Sequence, residues 1–151
     1  MNNPRQIAPY LYSQRFGPRP PCFARATVLP ADGNSPRRIL VGGTASIRGE
    51  DSLHLDDLQK QTRETFDNLA HLIRAAIGTP SESVNGMTPA DVSRWLSHFQ
   101  NLRIYYVREA DRPFIESRAA EAFAPGCQIE YVRADLCRAE LLVEIEGLAT
   151  G

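Results

Sequence analysis

Apolar positions change period along this chain, and each change marks an element. The first stretch, PYLYSQRFGPRPPCFARATVLP, is aromatic but broken by Pro18, Pro20 and Pro21. A strand can begin only after the proline pair, near Cys22 to Leu29. ADGNSPRR is a turn-rich connection, and RILVGG then gives a second apolar strand over Ile39 to Val41 that runs into a GGTAS turn. Two strands so joined predict an antiparallel start. From Leu55 the period becomes three and four: Leu55, Leu58, Thr62, Thr65, Phe66, Leu69, Leu72, Ile73 and Ala76 make the apolar stripe of a long helix. Asp56 and Asp57 suit its positive N-terminal end, and Gly78 with Pro80 stops it.

TPSESVNG reads as a loop, and Thr88-Pro89-Ala90-Asp91 as an N-cap with proline at the first helical position of a shorter helix running through Trp95, Leu96 and Phe99. NLRIYYVRE alternates as a strand, with Arg103, Tyr105 and Val107 on one face and Ile104, Tyr106 and Arg108 on the other. Pro113 opens a helix that carries Phe114, Ile115, Ala119, Ala122 and Phe123 and ends near Pro125-Gly126. Two strands, about 128 to 133 and 141 to 147, finish the chain. The order predicts an α+β fold, a mixed sheet with helices packed on one face. The other sheet face then needs cover, and self-association is the economical way to supply it, with clefts between subunits as pockets.

The last strand raises a chemical question. Leu141, Leu142, Val143 and Ile145 are apolar, yet Glu144 and Glu146 sit among them. They share a parity, so both point away from the face of Val143 and Ile145. Either that face is solvent, or it lines a pocket.

Composition narrows the classes. At 151 residues the chain is most simply one domain with a real core. A formal charge of −1 leaves no electrostatic footprint for nucleic acid. No apolar run approaches the ~20 residues of a membrane span, and MNNPRQIAPYLYSQRFG lacks the apolar core of a signal peptide. Cys22, Cys127 and Cys137 form no even framework, which points to a reducing cytoplasm. His54, His71 and His98 are scattered, and none completes a metal-ligand spacing.

GPRPPCFARAT, ILVGGTASIRGEDSLH, QTRETFDNLAHLI, LRIYYVRE and RADLCRAELLVEIEG together resemble the Rid-like catalytic domain of chorismatases, within the Rid (YjgF) superfamily. GTASIRGEDS with DLCRAELLVEIEG is the specific pair, and the likeness runs over roughly residues 10 to 148, the expected ordered core. It implies a chorismate-mutase-like fold, a homotrimer with pockets between subunits, and no metal or cofactor. It also implies cleavage of the enolpyruvyl ether of chorismate to pyruvate and a hydroxybenzoate or cyclohexadienediol. Chorismatases are usually about twice this length, with a further degenerate Rid-like domain at the N-terminus, and that half is absent here.

Roles follow from the resemblance. The family's catalytic glutamate matches Glu144, which would deliver a proton to the enolpyruvyl methylene carbon from a carboxyl whose pKa its apolar surroundings raise. Glu146 is then a partner or an edge residue. Cys137 resembles the cysteine of hydroxybenzoate-forming members, whose route passes through an epoxide-like intermediate, and it tilts the product towards 3-hydroxybenzoate. Chorismate is a dianion, so arginines must grip its carboxylates. Arg25 and Arg108 are the leading candidates, with Arg15, Arg19 and Arg112 in reserve. Tyr105 and Tyr106 add hydroxyl donors and an apolar wall; Thr44 and Ala45, in the GGTAS loop, border the pocket, with Ala45 setting the room above the ring. Cys22 and Cys127 read as structural, and Trp95 and Phe99 as packing. Two other readings stand beside this one. A Rid-type imine hydrolase lacks its carboxylate-binding arginine here, since Gln128 or Ile129 fills that position. A non-catalytic module that binds a small aromatic acid or a partner is the third.

Overall fold

A computed structural model describes residues 1–78 and 87–151. The expected loop over 79–86, including Pro80, lies outside the described residues. The main elements are β1 (Ala26–Leu29), β2 (Arg38–Ala45), a small hairpin of β3 (Ile47–Arg48) and β4 (Asp51–Ser52), α1 (Leu58–Ile77) and α2 (Pro89–Leu96). They continue as β5 (Phe99–Tyr106), α3 (Arg112–Ala122), β6 (Gln128–Arg133) and β7 (Val143–Thr150). The large sheet has the order β1-β2-β7-β5-β6, antiparallel throughout except for the β5–β6 pair. This is the mixed sheet expected, and the predicted β1–β2 antiparallel pair is present.

One core fills the space between sheet and helices. Ile39, Val41, Ile104, Tyr106, Val143, Ile145 and Ala149 from the sheet meet Leu69, Leu72 and Ile73 of α1, Val92 and Leu96 of α2, and Ile115 and Ala119 of α3. Phe123 stands edge-on to both Phe66 and Phe99 and so ties α3 to α1 and β5. The Thr88 cap is a full capping box, with Thr88 Oγ1 accepting from the Asp91 backbone N–H and the Asp91 carboxylate accepting from the Thr88 backbone N–H.

Several boundaries differ from the sequence reading. Residues 22–25 approach the sheet outside the ladder, so β1 starts at Ala26. Helix α1 starts at Leu58, because His54 and Asp56 take left-handed φ angles of 59° and 60° that no helix turn accepts. Leu55 is consequently exposed. Phe99 belongs to β5, and β7 begins at Val143 and continues to Thr150. GGTAS is not a turn: β2 continues to Ala45, with a bulge between Val41 and Thr44. The packed body also begins before residue 10. Asn3 donates to the Asn68 carbonyl, Arg5 pairs with Glu64 at 2.8 Å, and Gln6 donates to the Ile47 carbonyl, all over a second face of α1.

Candidate active site

The bulge in β2 builds the site. One extra residue in a strand reverses which face the following side chains occupy. Ile39 and Val41 point into the core, Thr44 takes the core position opposite Ile145, and Ala45 turns to the bare face opposite Glu144. Two glycines make this possible. A Cβ on Gly42 would lie 3.0 Å from the Ala24 carbonyl, where the chain before β1 crosses and Gly42 N–H donates to the Arg25 carbonyl. A Cβ on Gly43 would overlap Glu144 Oε1. Gly42 therefore admits the segment that carries Arg25, and Gly43 the carboxyl of Glu144.

Around this point lies a cavity of about 820 Å³. Its floor is Gly43, Ala45 and Glu144; one wall is the segment holding Cys137, Arg138, Glu140 and Leu141, and the other is Tyr12, Phe16, Phe23 and Arg25. Ala45, Ile47 and Leu141 form a small apolar cluster of their own beneath it, with Leu136 packed on. Buried Gln61 holds the Cys137 wall in place: its Nε2 donates to the Glu140 and His54 carbonyls, and its Oε1 accepts from Leu142 N–H at 2.8 Å.

The charges are arranged unusually. Arg25 is only 2% exposed, yet no carboxylate pairs with it among the described residues. Its Nη2 donates to the Tyr12 hydroxyl, its guanidinium lies against the rings of Tyr12 and Phe23, and its Nε has no partner. Burial pulls its pKa down, a sign of a cation awaiting an anion. Arg138 lies 3.8 Å above the Phe16 ring, and its Nη1 donates to the Glu50 carbonyl and to Ser52 Oγ. Arg15 and Arg19 line the mouth, Arg15 bound to Asp51. Glu144 has no hydrogen-bond donor among the described residues. Burial, then the charge of Glu146, push its pKa above the ordinary carboxylate value, and Arg25 pulls against them. Such a site can bind an anion on Arg25 and present a protonated carboxyl to it.

Of the residues singled out in the sequence, the structure brings Glu144, Cys137, Arg25 and Ala45 to the cavity, together with Arg15 and Arg19. It does not bring the others. Arg25 sits just before the first strand and not on it. Arg108 is exposed beyond β5, paired with Asp111 at 2.7 Å. Tyr106 is a core residue whose hydroxyl reaches Glu109, and Thr44 is fully buried on the core face, donating to the Gly42 carbonyl. Tyr105 shares the face of Glu144 but donates its hydroxyl to Glu146 at 2.8 Å. Arg112 pairs with Glu116 on α3. Cys22 is exposed and packs no core; Cys127 is half-buried against the core. Sequence reasoning missed Arg138, Tyr12 and Phe16. The aromatic, proline-broken N-terminal segment and the arginine next to Cys137 were the available signals. Among the described residues no group of His, Cys, Asp and Glu converges as a metal site would require, and no helix is long and apolar enough to cross a membrane.

Comparison with known proteins agrees with the fold. The chain is 39% identical over 151 residues to a 3-hydroxybenzoate synthase of Streptomyces hygroscopicus, covering 98% of this chain and 42% of the synthase. A crystal structure of a chorismatase superposes with a TM-score of 0.82 at 27% identity, over 99% of this chain and 43% of that one. The YjgF gene product of E. coli superposes with a TM-score of 0.58 at 14% identity over 85% of this chain and 87% of that one, a likeness of fold alone. No protein-family model matches the chain.

Proposed function

This chain has the Rid fold and is related along nearly its whole length to the chorismatases, spanning about two fifths of such relatives, and we propose that it cleaves the enolpyruvyl ether of chorismate. One observation carries the reading. A partly buried carboxyl with a raised pKa and no donor of its own, Glu144, shares a cavity with a buried, unpaired guanidinium, Arg25. Arg25 grips a substrate carboxylate, and Arg138, already oriented by Phe16 and Ser52, is the second anchor in place of Arg108. Glu144 passes its proton to the terminal methylene carbon of the enolpyruvyl group. The resulting oxocarbenium ion is trapped by water or by the substrate's own hydroxyl, and collapse of the adduct breaks the ether bond to release pyruvate.

Cys137, exposed on the cavity wall, directs the ring towards a hydroxybenzoate, 3-hydroxybenzoate first. Loss of one ring hydroxyl as water then makes the ring aromatic, so chorismate divides overall into a hydroxybenzoate and pyruvate with no net water consumed. The chain acts in the cytoplasm, a reading supported by its free cysteines. It works as a homotrimer assembled on the sheet face that the helices leave bare, where Leu40 is 45% exposed.

Incubation of the purified chain with chorismate, followed by enzymatic detection of pyruvate, tests the proposal. Wild type should release pyruvate, and Glu144→Gln should lose at least about a thousandfold of the rate with its circular dichroism unchanged. An inert wild type, or a Glu144→Gln variant of similar rate, would overturn it. Cys137→Ala should shift the ring product away from hydroxybenzoate.

A further inference from the structure

Glu146 lies outside the cavity, and the mechanism above gives it no task. Its surroundings do. It is two residues from Glu144 on the same face of β7. Arg103 stands directly opposite Glu146 on β5, and Tyr105 directly opposite Glu144. The Tyr105 hydroxyl reaches diagonally to donate to Glu146 Oε1 at 2.8 Å, and Arg103 Nη1 donates to the same oxygen at 3.3 Å. A phenol and a guanidinium both donate to that carboxyl, and such bonds are stronger to the charged form than to the neutral one. The two glutamates of β7 are thus unequal: Glu146 has donors and Glu144 has none.

We infer that Glu146 is a positioning residue for charge, a fixed carboxylate clamped by Tyr105 and Arg103 that keeps the neighbouring Glu144 carboxyl protonated. Like charges two residues apart on one strand face oppose each other's ionisation, and the cost falls on the one without donors. Other groups face Glu144 as well. Arg25, before β1, opposes the effect. Cys137, Arg138 and Glu140 come from the wall segment, and Tyr12, Arg15 and Arg19 from the N-terminal segment. Of these, Glu140 accepts from Ser52 Oγ at 2.7 Å and Arg15 is bound to Asp51, and Glu146 is the negative charge that acts against ionisation of Glu144. Arg103 also pairs with Glu130 at 2.8 Å, so the clamp extends to β6 and sits on three adjacent strands.

Carbon-13 NMR of side-chain-labelled glutamate in the full chain reads the inference directly, with the Glu144 signal assigned by its loss in Glu144→Gln. Glu146→Gln removes the fixed charge and should lower the Glu144 midpoint by about half a pH unit or more. Arg103→Gln removes a compensating cation and should raise it. The high-pH limb of pyruvate release should move the same way in each variant. A midpoint that fails to move in these opposite directions overturns the inference. Arg103 is an exposed side chain, so its variant carries the test should Glu146→Gln unfold. The inference rests on Glu144 as proton donor, but the titration needs no turnover: a wild type that releases no pyruvate would sink that reading while these shifts remained measurable.

Discussion

At the scale of single residues, the site is a matter of which carboxyl is denied solvent and donors. The alternation of VEIE showed in advance that Glu144 and Glu146 share a face opposite the core, and it left open whether that face was wet. Tertiary structure decides it, because the segment holding Cys137 and Leu141 folds over Glu144 and leaves Glu146 outside. The same limit explains Tyr106 and Thr44: a motif places a residue near a site but does not say which face of the strand it takes, and a one-residue bulge exchanges the faces. Two predictions belong here. Because burial raises the Glu144 pKa, the folded chain keeps a proton that the unfolded chain has released. The stability tied to that group is complete below the unfolded value of about 4.3 and is lost as pH rises through the folded value. Glu144→Gln stays neutral throughout, so its Tm should exceed that of wild type at about pH 7.5 and match it at about pH 3.5. Equal Tm values at both would mean that the carboxyl is fully hydrated. Gly43→Ala meets only the end of a flexible side chain, so it should cost less than about 1 kcal/mol of stability. It displaces the proton donor, however, and kcat should fall about tenfold or more with KM little changed.

At the scale of elements, the sheet and the apolar stripe of α1 were legible because burial against one layer leaves a clean period. Thr62, Phe66, Leu69, Leu72, Ile73 and Ala76 are buried as the spacing of three and four requires. What the stripe could not show is that α1 is covered on a second side. Gln61, Glu64, Asn68 and His71 are buried too, under the N-terminal segment and the β3–β4 hairpin. Gln61 and Asn68 are polar because the backbone packed on them is irregular and needs partners: Asn68 Nδ2 donates to the Ala45 and Ile47 carbonyls, and Gln61 serves three backbone groups. Polar residues in a helix read as solvent-facing unless the covering segment is known, and this one has no periodicity. Gln61→Leu keeps the volume and removes every one of those bonds. It should cost about 3 kcal/mol or more in denaturant unfolding, since the Glu140 carbonyl and Leu142 N–H are left buried and unpaired. A loss below about 1 kcal/mol would mean that the wall of the cavity does not depend on it.

At the scale of the whole molecule, the open question is the face the helices leave bare. An antiparallel sheet tolerates water on one side when that side is polar. Here it is polar only in part. Leu40 and Leu148 are register partners on the adjacent strands β2 and β7, with Tyr105 of β5 on the same face. Charged Arg103, Glu130 and Glu146 cross the middle of it in one connected network. Apolar Leu40 and Leu148 beside charges already paired with one another suit an interface between copies. The number of copies does not follow from the order of elements; three comes from the family resemblance alone. Sedimentation velocity at micromolar concentration should therefore show a trimer, and Leu40→Asp should shift it to monomer by placing a carboxylate opposite Leu148 with no donor to hold it. If wild type sediments as a monomer, Leu40 and Leu148 stay in water, and the cavity floor at Glu144 must owe its dryness to the Cys137 wall alone.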